Sequence, residues 1–187
     1  MGTSVNQSSP RTLSWKVAQA GYRDPKVSID RVTSEVWRAA LNQESGDIER
    51  LLSQPVVARI GALASGSVSR VDLAKRSAAE IAKGKHSSLA TDIARRAAVQ
   101  VAGAGNWAEV FAPRLFAEAT TYLVSRDLPG FVGLGRVRTV AESMSFRQSV
   151  ANRAAQIVAS VPRPGKMTER TWPEYVRNVV LHLRGRQ

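Results

Sequence analysis

The sequence predicts an all-α protein, a compact bundle of roughly seven to nine helices, several of them short. Three observations point there. Apolar residues recur at helical spacing along most of the chain, and no stretch alternates apolar and polar residues as a half-buried strand would. Alanine is abundant while aromatics are only 6%, a balance that suits closely packed helices better than a sheet sandwich. Ser, Thr, Pro and Gly stand at the ends of the periodic segments, where helices start and stop. With 43% hydrophobic residues in 187, the chain can bury one real core. Residues 1–12 read as a flexible lead and residues 13–187 as a single helical domain, with 167–187 a candidate C-terminal lobe.

The elements follow in order. Leu13, Trp15, Val17 and Ala18 make a short amphipathic piece ending near Gly21. Ile29, Val32, Val36, Ala39 and Ala40 form the next stripe, capped by Ser28 or Asp30, with Trp37 on its flank. Gly46-Asp47 starts a helix holding Ile48, Leu51 and Leu52, and Pro55 ends it or opens another around Val56, Val57 and Ile60. The clearest helix spans 70–83. Ser69 and Asp72 form an acidic capping box, Val71, Ala74, Ala78, Ile81 and Ala82 form the inward stripe, and Gly84 closes it. Ser88 caps the following helix, in which Leu89, Ile93, Ala97 and Val101 pack inward until Gly103 and Gly105.

Asn106 caps a segment with Trp107, Val110 and Phe111, and Pro113 predicts a kink or a fresh start. Beyond it Leu115, Phe116, Ala119, Tyr122 and Leu123 cover much of the circumference, as in a deeply buried helix. Residues 127–135, with three glycines and a proline, break the helix and read as a packed loop. A helix over about 136–161 carries two stripes. Val137, Val140, Ala141, Met144, Ala151, Ala155 and Val158 lie on one side, and Phe146, Val150, Ile157 and Val161 on nearly the opposite one. Such a helix is either central, the favoured reading, or has one side covered by another chain. Pro162–Gly165 stops it. Thr171 and Glu174 then form a capping box for a last helix through Tyr175, Val176, Val179, Val180 and Leu183.

Charge carries the functional signal. Lys plus Arg number 27 against 15 Asp plus Glu, a net charge of +12. A GC-rich genome raises Arg and Ala together and explains arginine over lysine, but not why acids fail to keep pace. The partner such a charge suits is a polyanion, and nucleic acid is the first candidate. Two clusters stand out. Arg70, Lys75, Arg76, Lys83, Lys85, Arg95 and Arg96 fall on two consecutive helices, and if these form a hairpin the cations can line one groove. Between 128 and 166, Arg136, Arg138, Arg147, Arg153, Arg163 and Lys166 face one acid, Glu142.

Catalysis finds little footing. The absence of cysteine excludes disulfides, thiolate zinc sites and cysteine nucleophiles. His86 and His182 lie far apart with no carboxylate at ligand spacing, so no metal and no cofactor is expected. Gly130, Gly133 and Gly135 lack the Gly-Lys-Ser/Thr ending of a phosphate loop, and no Gly-x-Ser-x-Gly elbow occurs. The carboxylates near helix starts, Asp47, Glu49, Asp72, Asp92 and Glu174, suit the helix dipole. No run of about 18 apolar residues exists to cross a membrane, and the first ten residues have no signal-peptide core. The expected setting is the cytoplasm, and the expected role is non-enzymatic. Ser87–Asp92 is the best start for a recognition helix, yet its acid and wide apolar face argue for backbone tracking instead.

Arg76, Lys83, Arg95, Arg96, Arg136, Arg138 and Arg147 on helices, together with the doubly apolar helix around Met144, give the chain a particular overall character. In this it resembles the small all-helical subunits of multisubunit CRISPR effector complexes, across residues 13–184 and without a diagnostic motif. The resemblance implies several copies stacked along a filament, presenting a basic surface to guide or target strand and having no activity of their own. Phe146, Val150, Ile157 and Val161 are then the candidate subunit interface. Arg70, Lys75, Arg76, Lys83, Lys85, Arg95, Arg96, Arg136, Arg138, Arg147 and Arg153 are the candidate strand contacts, to single-stranded RNA or DNA. The alternatives are an assembly module with a basic docking surface, and a helical sequence-specific DNA-binding regulator.

Overall fold

The computed structural model describes residues 10–41, 48–64, 69–104, 106–127, 132, 133 and 135–185. Among these the chain forms nine α-helices and no strand, as the sequence predicts. They are α1 (Pro10–Arg23), α2 (Ile29–Leu41), α3 (Ile48–Leu52), α4 (Pro55–Leu63), α5 (Arg70–Ala82), α6 (Ser88–Gln100), α7 (Trp107–Asp127), α8 (Val140–Ser160) and α9 (Trp172–Leu183). Residues 1–9 of the expected lead, and the Gly46-Asp47 helix start, lie outside the described residues; α1 already begins at Pro10.

The long helices α7 and α8 pack against each other and form the spine. The α1–α2 pair covers one side through α2 against α8, while α4 and α6 cover another and α9 closes against α2, α3, α4 and α8. Trp37, Trp172, Tyr22, Tyr175, Phe111 and Phe116 are the largest side chains in the single core. Each buried indole finds an acceptor, as an apolar interior requires. Trp37 Nε1 donates to Thr120 Oγ1 at 3.0 Å, and Trp172 Nε1 to the Leu52 carbonyl at 2.8 Å. Trp37 is therefore a core residue and not the flank residue the stripe suggested. At Gly61 a Cβ would sit 2.5 Å from the Phe111 ring, so α4 approaches α7 only because this residue has no side chain.

Several local expectations are corrected by packing. Pro113 neither kinks α7 into two helices nor restarts it; it lies inside one 21-residue helix. The position is near the start, and only the carbonyl of Glu109 loses its intrahelical donor. Thr171 is no capping-box residue: its backbone is itself helical, and its hydroxyl donates to the carbonyls of Lys166 and Thr168. The capping box lies instead at α8, where Thr139 Oγ1 accepts from the Glu142 amide at 3.1 Å and Glu142 accepts from the Thr139 amide at 3.0 Å. Ser87, one residue before the expected Ser88, caps α6.

Two faces are also re-phased. On α5, Leu73 and Ser77 face inward with part of Ile81, while Val71 is 64% exposed and Ala74, Ala78 and Ala82 face solvent. On α8 one stripe of Ser143, Phe146, Val150, Ala154 and Val158 enters the core, four residues apart or nearly so. Phe146, Val150 and Val161 are buried and Ile157 packs against the core, so these four are not a subunit interface. The outward apolar side chains of this helix are Val140 and Met144, 67% and 60% exposed.

Candidate nucleic-acid interface

Helix α5 is held to the bundle by a narrow inner face, and that leaves most of its circumference to solvent. Ser69 fixes its start by accepting from the Asp72 amide at 3.1 Å and donating to Asp72 Oδ2 at 2.7 Å. Residues 83–87 then turn the chain into α6, which packs back against α5. This gives the hairpin on which the first basic cluster depends. Arg70, Lys75, Arg76, Lys83, Lys85, Arg95 and Arg96 are all exposed on it.

Their partners divide them. Lys83 is ion-paired with Glu80, and Arg95 lies 3.7 Å from Asp92, both pairs on the surface. Such pairs hold their cations by less than about 1 kcal/mol and release them readily to a phosphate. Arg70, Lys75, Arg76, Lys85 and Arg96 make no ion pair among the described residues. Glu80 also receives Arg59 of α4 at 3.2 Å, and Arg59 reaches Glu169 at 2.7 Å, so α4, α5 and the segment before α9 are joined at one point. The hydrogen bond from Lys83 holds the Glu80 carboxyl below its ordinary range; desolvation, the next effect in size, opposes it, and the charges of Lys83 and Arg59 add to the lowering.

The second cluster behaves differently. Arg136 donates from Nη2 to the carbonyls of Pro25 and Val27, each at 2.6 Å, and its guanidinium lies 5.2 Å from the Phe146 ring centroid. Burial lowers its pKa from the usual guanidinium value, which leaves it charged at any ordinary pH. The preceding Gly135 has φ +57°, and a Cβ there would fall 1.9 Å from the Arg23 carbonyl oxygen. This loop is thus pressed onto the end of α1 and clamps the α1–α2 turn. Arg147 donates to Ser125 Oγ at 3.0 Å across the α7–α8 seam, and Arg153 pairs with Asp30 of α2 and with Gln156. Arg136 and Arg147 are accordingly fasteners between elements, a correction to their reading as strand contacts, whereas Arg153 is held by a surface pair of the same kind as those of Lys83 and Arg95. Arg138 stays exposed; its side chain donates to the Gly135 carbonyl at 3.3 Å and its amide to Glu142 at 2.7 Å.

The structure adds aromatic groups that the pattern hid. Tyr122, read as buried, is 39% exposed in a groove between α6 and α7, beside Arg96 and Leu89 and the carboxylates Asp92 and Glu118. Trp107 lines a cavity at the start of α7, facing the segment 163–167 that carries Arg163 and Lys166. No local signal marked either one: residues 97–113 and 115–125 carry no cation, and the basic neighbours come from α6 and from the segment 163–167.

Among the described residues no group of three or more His, Asp or Glu is placed to hold a metal ion. No helix is long and apolar enough to cross a membrane. The chain matches no protein-family model, no curated protein and no solved structure.

Proposed function

We propose that this chain is a non-enzymatic nucleic-acid-binding protein of the cytoplasm that holds a strand, without reading its sequence, on the outer face of the α5–α6 hairpin. One observation carries the reading: Arg70, Lys75, Arg76, Lys85 and Arg96 are exposed and in no ion pair among the described residues, on two packed helices and the turn between them, in a chain with net charge +12. Each cation placed on a phosphate releases condensed counterions, and the gain is entropic and independent of base identity. Lys83 and Arg95 join by leaving their weak pairs, and Arg138 offers a further contact.

The resemblance to CRISPR effector small subunits gives this role a setting, a ribonucleoprotein in which the hairpin lies along guide or target strand. Stacking on neighbouring subunits then falls to Val140 and Met144, since the Phe146 side is filled by the chain's own core. The same two side chains are what the alternative reading, an assembly module with a basic docking surface, would use.

Fluorescence anisotropy with a mixed-sequence single strand over a salt series tests the proposal. About six phosphate contacts give a log–log slope near −4 to −5. Lys75→Glu with Arg76→Glu makes that slope shallower by about 1.5 and weakens every sequence alike. A slope near zero would sink the reading.

A further inference from the structure

Two cavities flank Arg163 and Pro164, in the segment that leads from α8 to α9. The larger, about 400 Å³, is lined by Asn106, Trp107, Arg163, Gly165 and Lys166 among others. The smaller, about 230 Å³, is lined by Arg163, Tyr175 and Asn178 with Thr171 and Glu174. The larger by itself falls in the size range of small-molecule sites, of about 300 Å³ and upward.

Three features of this cleft point to a ligand. The indole of Trp107 is held by Phe111 and Trp172, with ring centroids 5.8 and 6.3 Å away, so it is a rigid aromatic surface whose position no ligand has to organise. The Tyr175 hydroxyl is buried without a hydrogen-bond partner, on a residue only 2% exposed that lines the smaller cavity. An orphaned hydroxyl of this kind is costly unless something meets it. The cations present, Arg163 and Lys166, are both exposed; Arg163 is only loosely engaged, 3.7 Å from Glu109, and Lys166 has no ion pair among the described residues.

An aromatic surface (Trp107), an amide (Asn106) and two cations (Arg163 and Lys166) line the larger cavity together, and these are what one nucleotide needs: stacking for its base, a hydrogen bond for its edge and charge for its phosphate. Glu109 and Glu174 keep the cleft from drawing simple anions, and they offer acceptors to exocyclic amino groups. We infer that the cleft around Arg163 receives a single unpaired nucleotide of the bound strand. The inference rests on the nucleic-acid reading above and sharpens it. A base can enter only after leaving its stack, so the cleft selects single strands over duplex.

The test is a charge-neutral block. Gly165 lines the larger cavity and a Cβ there meets nothing within 4 Å, so Gly165→Phe adds a ring to the cleft without straining the backbone. Affinity is measured for a 12-nucleotide mixed-sequence single strand, the same strand built of abasic sugar-phosphate units, and a 12-base-pair duplex. Circular dichroism confirms that the variant is folded. The expected result is a loss of about tenfold on the base-bearing single strand and little change on the other two. Trp107→Phe, which keeps a ring, retains most of the binding, whereas Lys166→Ala weakens both single strands.

Strand binding that keeps its salt dependence and its sensitivity at Lys75 and Arg76, yet ignores Gly165→Phe, overturns this inference and leaves the surface reading intact. Equal loss on all three nucleic acids also overturns it, because a base pocket cannot act on an abasic strand. No binding of any strand by the wild-type chain fells both together.

Discussion

The basic residues of the α5–α6 hairpin and those around α8 look alike in sequence and differ in what faces them. On the hairpin, the acids within reach are few and lie on the surface, so most cations end in solvent. Around α8, backbone carbonyls of the α1–α2 turn, a serine of α7 and an aspartate of α2 take up three of the four arginines first read there as strand contacts. A guanidinium has five donors, and a packed turn or seam with unsatisfied acceptors will use them. Net charge by itself therefore does not identify a binding face. What identifies it is charge left over after the fold has taken its share.

The contrast can be broken or sharpened by substitution. The largest effect is expected at Phe146, whose ring packs edge-on to Tyr22 at 5.3 Å beneath Arg136. Phe146→Ala lowers unfolding stability by about 3–5 kcal/mol in urea titrations. It leaves the oligomeric state of the folded fraction, seen by sedimentation, unchanged. Arg136→Ala removes the partner of the part-buried Val27 carbonyl and the contact with the Phe146 ring and costs about 1–2 kcal/mol, while strand affinity measured on the folded protein stays near wild type. That outcome is the reverse of what Lys75→Ala with Arg76→Ala will give, within about 0.5 kcal/mol of wild-type stability but with weakened binding. If Arg136→Ala instead weakened binding and spared stability, the division between the two regions would fall.

Smaller effects sit at the hairpin's own supports. Ser69→Ala removes the α5 cap and costs about 1 kcal/mol. The loss concentrates in faster amide exchange along α5. Glu80 supplies a pH dependence. Its folded-state pKa is depressed below the ordinary 4.5, so the folded protein binds this proton less readily than the unfolded chain. The stabilisation is present above the ordinary value and disappears as pH falls through the lower folded one. Glu80→Gln should accordingly match wild type in acid and fall slightly below it near neutrality.

Helix number and order were legible because caps and stripes agree along most of the chain: Ser28, Pro55 and Ser69 stand at helix starts as expected. Phase was harder where alanine dominates. On α5, Ala74, Ala78 and Ala82 are compatible with either face, and Leu73, the one large apolar residue there that is fully buried, decides the matter in the structure. On α8, Phe146 and Val150 read as a second apolar side, but they are the first, and Val140 with Met144 overhangs. The candidate site was half legible. Cations on α5 and α6 are exposed as the spacing indicates, whereas the fates of Arg136, Arg147 and Arg153 depend on partners 22 to 123 residues away, which no local pattern reports.

The Trp172 indole closes on the Leu52 carbonyl and the Arg38 guanidinium on the Arg184 carbonyl, contacts that join residues 120 and 146 positions apart. On a ribosome, the segment from α2 to α8 therefore emerges with the apolar surface that α9 covers still exposed, and waits for Trp172, Val176 and Val180 to close it. For that interval the nascent chain shows apolar surface and unshielded positive charge together, next to ribosomal RNA. A chaperone that shields the one, or a strand that shields the other, would speed the arrival of finished protein.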